Sequence, residues 1–578
     1  MEPLQSMKWW QKAVFYQIYP RSFADGNGDG IGDFRGMTAR LDYLKELGID
    51  AIWLSPHYPS PNFDCGYDIS DYVGVAPEYG TLDDFQEFLD GAHARGMRVI
   101  LDMVLNHTSN QHVWFQESRS SRDNPRRDWY IWRDGKEGGP PNNWNSPFGG
   151  SAWEWDETTG QYYYHFFFKE QPDLNWRNPE VKAAMFAAVR FWLDRGVDGY
   201  RLDAIGTIYE DINLSDHPVA MTGVELRREL DRATTPERRE ELMKLWEAME
   251  QYQVEQPGMH ELMQELRAVV DAYDERMLIG EDENLAYLGD GSNELHLVFN
   301  FPLMQTDRLT SAWIRRNQNQ RLRELSQISA DAWPCNTLGN HDSSRVWSRF
   351  GDGMHQAAQA RLSLALLLTL RGTPFLYNGE EIGMTDLYLS DISQFRDLLE
   401  VWYYQAQVNH IGLHPGEALR KASQLTRDKN RTPLQWSYQA NGGFCPAGVQ
   451  PWLPVNPDYS CGVNVAEQEP DPESLLNFYR HLLRVRKNTP ALIGGSYQSY
   501  HPRNQKVLAF FRQIPGQTCL VGLNFSAEAA GLILPKESGQ IQVLYSSHNL
   551  RGEVKAGKRV GLAPFGMVIL LLEQGDIG

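Results

Sequence analysis

The chain has 578 residues, of which 22% are charged and 42% hydrophobic, with a net charge of -20. That balance predicts globular domains with a large core, and the acidic excess excludes nucleic acid and anionic membrane surfaces as partners, since both need a basic face. Five irregularly spaced cysteines, Cys65, Cys335, Cys445, Cys461 and Cys519, form no metal or disulfide pattern. The first ten residues lack an apolar core and a small-residue cleavage site, and no apolar run approaches the ~18 residues of a membrane span. A cytoplasmic protein with reduced thiols, monomeric or homodimeric, is the expectation. The aromatic content, 18 Trp, 26 Tyr and 24 Phe, suits a ligand cleft as well as a core.

Residues 13–19 read as a first strand, stopped by Pro20. Asp25, Asn27, Asp29 and Asp33 then alternate with glycines, and Ile31 would offer its carbonyl. Hard oxygen donors at this spacing resemble the start of a calcium loop, although position 12 is Gly36 where an EF-hand has Glu. A helix is predicted over 37–47 and closed by Gly48, a second strand over 50–55, a helix over 82–95 and a third strand over 98–102. Alternating helices and nearly continuous apolar strands predict a parallel sheet.

From 108 to 176 the pattern pauses in a polar, Trp-rich, Gly- and Pro-rich stretch, with a strand over 162–168. It resumes with a helix over 181–193 and a strand over 197–203. A charged helical insertion over 223–252 follows, then strands at 277–281, 295–300, 336–340 and 373–377, the last two separated by a helix over 356–370. Residues 384–465 read as a second irregular insertion, and a helix over 473–488 completes the alternation. Eight strands of this type are the count of a closed (β/α)8 barrel. The expected domains are the barrel at 1–107 and 177–490, an inserted domain at 108–176, and a C-terminal antiparallel β domain at 491–578, where the pattern turns to period two.

Active sites of such barrels lie at the C-terminal strand ends. Asp102 and His107 end the third strand, Arg201 and Asp203 the fourth, Glu281 the fifth, and Asn340, His341 and Asp342 the seventh. Arg201 and Asp203, two apart, share one strand face. Alone they could be a structural ion pair, but four acids on one rim are costly without a chemical use. Two carboxyls about 5–5.5 Å apart cleave a glycoside with retention, one attacking carbon and the other protonating the leaving oxygen. Asp203, kept ionised by Arg201, suits the first task. Glu281, beside Asp282 and Glu283, suits the second, because like charges raise a carboxyl's pKa. Asp342, with His107 and His341, would hold hydroxyls and favour a cationic transition state.

These segments resemble the alpha-amylase superfamily, glycoside hydrolase family 13, in its oligo-1,6-glucosidase and alpha-glucosidase branch. The resemblance rests on the segments 102–107, 199–204, 279–281, 340–345, 171–175 and 427–436. It implies Asp203 as nucleophile, Glu281 as acid/base and Asp342 as transition-state stabiliser. His107, Arg201 and His341 would bind the sugar, with Tyr67 stacked on it and Phe167 lining the pocket. Asp64, paired with Arg427, would close the pocket and make the enzyme exo-acting on small oligosaccharides. The Asp25–Asp33 loop would hold a structural calcium or magnesium. In this branch Ala or Thr after the nucleophile goes with α-1,4 linkages and Val with α-1,6. Ala204 therefore implies α-1,4 cleavage, with transglycosylation. The acidic run after Glu281 departs from the branch. A sucrose isomerase, trehalose synthase or sucrose-cleaving enzyme would share the scaffold and differ only in its acceptor pocket. The non-catalytic, membrane-anchored heavy chains of this fold lack the three acids present here.

Overall fold

The computed structural model describes the chain except residues 1, 410, 502, 537–538, 549 and 573–578. Eight parallel strands form the central sheet: β1 (Phe15–Ile18), β2 (Ala51–Leu54), β3 (Arg98–Val104), β4 (Gly199–Asp203), β5 (Met277–Gly280), β6 (Leu297–Val298), β7 (Cys335–Thr337) and β8 (Thr373–Tyr377). The order is β7-β8-β1-β2-β3-β4-β5-β6. The expected sixth strand shrinks to two residues. At the seam between β6 and β7, Asn300 Nδ2 donates to Asn336 Oδ1 at 3.2 Å, and the Arg321 guanidinium, from the helix between the two strands, donates to the carbonyls of Val298 and Phe299 on the β6 side. The result is a nearly closed barrel.

Its lumen holds an apolar core. Phe15, Trp53, Ile100, Ile279, Leu297, Phe299 and Phe375 pack together, with the Phe15 and Phe375 rings stacked at 4.3 Å. Strand residues of the other face pack against the surrounding helices. The helices Leu82–Ala94, Pro179–Asp194, Gln356–Thr369 and Leu475–Lys487 lie within two or three residues of expectation. The span 37–47 is instead two short helices, Phe34–Ala39 and Leu41–Leu47, that meet at Arg40. Met259–Asp271 and Ser311–Ile328 are two further barrel helices. The segment after β8, read as irregular, contains two contacting helices, Leu398–Asn409 and Pro415–Leu425.

Between β3 and β4 a three-stranded antiparallel sheet, Trp132–Arg133, Gln161–Tyr164 and Trp153–Asp156, covers a small core of Trp144, Trp153, Tyr164 and Phe166. After the helix Pro490–Gly494 a six-stranded and a two-stranded antiparallel sheet enclose their own core. Arg512 and Arg486 link this domain to the barrel by donating to backbone carbonyls, Arg512 Nη1 to Thr369 at 2.6 Å and Arg486 Nη1, from the barrel, to Leu492 at 2.7 Å. All five cysteines are unpaired. Among the described residues no helix is long and apolar enough to cross a membrane.

Candidate active site

Strand register brings the charged residues together. Asp102 on β3 lies opposite Arg201 on β4, Val104 opposite Asp203, and Leu202 opposite Gly280, the residue before Glu281. β4 approaches β5 closely at Gly199, whose φ is 150°; a Cβ there would lie 2.1 Å from the Met277 carbonyl oxygen, so only glycine fits.

Arg201 is the hub. Its Nη1 donates to Asp102 Oδ1 at 2.6 Å and to Asp203 Oδ1 at 2.7 Å, while Nη2 lies 2.5 Å from Glu281 Oε1. Its side chain is 1% exposed, beneath an Asp203 side chain at 11% and a Glu281 side chain at 20%. The second Asp102 oxygen accepts from Trp53 Nε1 and from the Tyr67 hydroxyl at 3.1 Å. Glu281 Oε2 accepts from the Ala204 amide at 3.0 Å. Ala204 adopts the left-handed conformation, φ 40° and ψ 49°, a geometry that costs a non-glycine about 1–3 kcal/mol and clusters at functional sites.

The charge balance differs from the expectation that Arg201 keeps Asp203 ionised by itself. One guanidinium serves three carboxyls. Burial pushes Asp203 well above the usual carboxylate range; Arg201 opposes this, while Glu281 and Asp102 add to it, and Asp203 and Glu281 hydrogen-bond to each other. Burial likewise raises Asp102 to about 6 against the pull of Arg201. Asp203 therefore holds its proton more tightly than an exposed carboxyl does. The carboxyl facing Glu281 is Asp203, whereas Asp282 is flanked by Glu255 and Glu283.

Asp342 sits across the mouth. Its Oδ1 accepts from Arg431 Nη2 at 2.6 Å and its Oδ2 lies 3.2 Å from His341 Nε2. Burial works against its ionisation, but His341, Arg431 and Arg427 hold it well below the usual range. Burial pushes His341 itself down to about 3, so at neutral pH the two arginines carry the positive charge. Gln17 Nε2, a donor, lies 2.8 Å from His341 Nδ1. The ring proton is thus on Nε2, facing Asp342 and, at 2.6 Å, the Tyr67 oxygen. Tyr67 lies parallel to His341 with ring centroids 5.3 Å apart.

Arg427, 3.7 Å from Asp342 Oδ1, gathers a further pair of acids. Arg427 Nη2 donates to Asp64 Oδ1 at 2.8 Å and to Asp397 Oδ1 at 2.9 Å. Gln171 Nε2 donates to the other Asp64 oxygen and lies 2.9 Å from His107 Nε2. Burial drives His107 down to about 3, a neutral imidazole suited to hydroxyls. Phe167 meets its edge at 5.3 Å. Every expected catalytic and sugar-binding residue therefore lines one rim. Four further residues, Asp102, Asp397, Gln171 and Arg431, complete it. Asp102 was visible as a strand-end acid, and Gln171 and Arg431 lie within segments that carry the family resemblance. Asp397 stands in no motif.

The Asp25–Asp33 loop lies apart from these acids. Asp25 accepts from the amides of Gly28 and Gly30, Asp29 from Ile31, and Asn27 Oδ1 from Asp29. Asp33 accepts from Gly26 and Asn27 and caps the helix Phe34–Ala39 through the Gly36 amide. Among the described residues no group of three or more His, Cys, Asp or Glu is placed to hold a metal ion. The donors themselves, carboxylate, amide and carbonyl oxygens, are of the kind calcium and magnesium take; the Asp25 and Asp29 oxygens each accept one hydrogen bond and keep a lone pair, whereas Asp33 Oδ2 accepts two.

An acid pair over a buried guanidinium, a third ionised carboxylate opposite, and neutral imidazoles between them, all on a barrel's C-terminal rim, define a glycoside hydrolase. The alpha amylase catalytic-domain family matches residues 17–495. The chain is 41% identical over 542 residues to an oligo-1,6-glucosidase of Parageobacillus thermoglucosidasius, covering 91% of this chain and 92% of that one. It is 40% identical to an alpha-glucosidase of Pediococcus pentosaceus, covering 85% and 87%. Among solved structures, the trehalulose synthase MutB of Pseudomonas mesoacidophila MX-45 superposes with a TM-score of 0.86 at 40% identity, covering 98% of this chain and 100% of that one. The chain belongs to the alpha-amylase family.

Proposed function

We propose that the chain is a retaining, exo-acting α-glucosidase that removes α-1,4-linked glucose from the non-reducing end of maltose and short oligosaccharides, with transfer to sugar acceptors. The observation that carries this reading is the shared Arg201 fork, which holds Asp203 and Glu281 side by side at the mouth. Once Asp203 has passed its proton to Glu281 through the hydrogen bond between them, its carboxylate attacks the anomeric carbon while Glu281 gives that proton to the glycosidic oxygen. The sugar is then ester-linked to Asp203, and Glu281, now a base, takes a proton from water or an acceptor hydroxyl as that oxygen displaces Asp203. Binding must part the hydrogen bond between the two acids. The charge that develops on the ring is met by Asp342, whose ionisation Arg431 and Arg427 maintain. His107, His341 and Tyr67 hold hydroxyls around it.

The Arg427–Asp64 bridge supports exo action, because a chain cannot pass a closed end. Ala204 supports the α-1,4 preference through the family trend. The relatives named for oligo-1,6-glucosidase and trehalulose synthase favour a second reading, α-1,6 cleavage or sucrose isomerisation on the same acids. Product analysis on maltose, isomaltose, sucrose and trehalose separates them. Maltose turned over fastest with glucose as first product supports the proposal, and isomaltose or sucrose as the preferred substrate overturns it. Calcium or magnesium in the Asp25–Asp33 loop, with Asp25, Asn27, Asp29, Asp33 and the Ile31 carbonyl as ligands, is proposed as a structural element only; bound, the ion would neutralise the loop's acids.

A further inference from the structure

The chain carries a net charge of -20, yet one large cavity has the opposite sign. The helix Gln356–Thr369, the helix Leu475–Lys487 and, from the C-terminal domain, the strand Ile541–Ser546 border a space of about 710 Å³. That lies within the range of ligand pockets, about 300–1,000 Å³, and none of the rim acids lines it. Arg361, Arg484 and Arg551 face it, with two acids, Glu469 and Glu473. Glu469 is already committed, its Oε1 2.8 Å from Arg480 Nη2. Among the described residues none of the three guanidiniums has a carboxylate partner. Arg361 Nη2 donates to the Glu473 carbonyl at 2.6 Å, Arg484 Nε donates to the Arg480 carbonyl at 3.1 Å, and Arg551 makes no hydrogen bond. Three cations thus face one uncommitted carboxylate, Glu473. Such a wall concentrates anions, and the planar guanidinium fork matches the oxygens of a phosphate.

The remaining groups suit hydroxyls. Tyr545 packs on Phe478 and His481 with ring centroids 5.5 and 5.6 Å away. Neither the Tyr545 hydroxyl nor the His481 ring nitrogens have a hydrogen-bond partner among the described residues. Burial and then Arg484 lower His481, so at neutral pH its ring is an uncharged donor and acceptor. A nucleobase would need an open aromatic face to stack on, whereas these rings cover one another and Phe478 is buried.

We propose that this cavity binds the phosphate monoester of a small sugar, its phosphate held by the guanidiniums and its hydroxyls by Tyr545 and His481. A phosphate monoester brings about two negative charges at pH 7, which matches the excess of cations over the free carboxylate. The site stands apart from glycoside cleavage, and its ligand touches the barrel and the C-terminal domain together.

The test is calorimetric titration of the full-length protein at low salt with glucose 6-phosphate, AMP and inorganic phosphate, comparing wild type with Arg484→Gln, Arg551→Gln and Glu473→Gln. Glucose 6-phosphate is expected to bind the wild type more tightly than AMP or phosphate does. Each arginine variant is expected to weaken it by about tenfold, the worth of a charged hydrogen bond. Glu473→Gln removes the opposing charge and is expected to tighten it by about threefold, the worth of an exposed ion pair; a gain of binding separates the charge effect from damage to the fold. No binding of glucose 6-phosphate, or equal binding by the wild type and both arginine variants, overturns the proposal. Inorganic phosphate or AMP bound as tightly as glucose 6-phosphate overturns it as well, since the sugar then contributes nothing.

Discussion

Arg201 Nη1 donates to Asp203 Oδ1 at 2.7 Å and, with the same nitrogen, to Asp102 Oδ1 at 2.6 Å. The proposed nucleophile thus shares its counter-charge with a second buried acid. A lysine cannot reproduce the fork, because its ammonium is a point charge without fixed donor directions. Arg201→Lys is expected to lower kcat on maltose by about 10²–10³, the loss seen when one preorganised donor is removed, with a smaller change in KM. Steady-state kinetics check this.

Burial raises Asp203 in the folded state. A carboxyl whose folded pKa exceeds its unfolded one stabilises the fold only while protonated, and that contribution is lost as pH rises through the folded pKa. Asp203→Asn removes the penalty. The variant is expected to be inactive yet to melt at or above the wild-type temperature, with the gap widening from pH 5 to pH 8. Calorimetry across that range checks the sign.

Burial works against the Asp397 carboxylate, but Arg427 dominates and lowers it to about 2. The contribution of this pair is complete above the ordinary carboxylate pKa and is lost as pH falls toward about 2. Arg427→Ala strands Asp397 and Asp64 together, and breaking such a buried pair costs about 3–5 kcal/mol. The variant is expected to melt markedly lower at neutral pH, to lose part of that deficit on acidification, and to show a raised KM for maltose. Thermal melts at pH 7 and pH 3 with kinetics at pH 7 check this.

Ala204 donates its amide to Glu281 from a left-handed backbone, a conformation a β-branched residue adopts with strain. Ala204→Val is expected to cost stability and, by crowding the leaving sugar, to shift the maltose-to-isomaltose ratio of kcat/KM toward isomaltose by about 10-fold, the worth of a methylene or two in a pocket. An unchanged ratio removes Ala204 as the linkage determinant.

Much of this was legible in the chain because the barrel strands are buried on both faces and read as apolar runs, so an acid at a strand end stands out. The helix Ser311–Ile328 did not stand out, because it buries Arg315, Gln318 and Arg321, which erase its apolar period. The helix Met259–Asp271 lies between the charged insertion over 223–252 and the strand at 277, a stretch assigned no element from the sequence. Asp203 and Arg201 were visible as a pair two residues apart, but burial reverses the simple expectation for Asp203, with Glu281 and then Asp102, which joins across a strand pairing, adding to it. Asp397 reaches Arg427 from thirty residues away with no motif to mark it.

If calcium or magnesium occupies the Asp25–Asp33 loop, a chelator is expected to lower the melting temperature, and added metal to restore it in proportion to its saturation of the site. Asp29→Ala should abolish both responses while the rim acids keep their activity in excess metal. Metal analysis of the purified protein accompanies the melts.

The central claim is a covalent glucosyl intermediate on Asp203, and trapping it is the most direct test. Incubation with 5-fluoro-α-D-glucosyl fluoride, whose intermediate turns over slowly, followed by proteolysis and mass spectrometry, should place one fluoroglucosyl adduct on the peptide containing Asp203. An adduct on Glu281 or Asp342, or rapid turnover with release of the β-anomer and no adduct, would contradict the account.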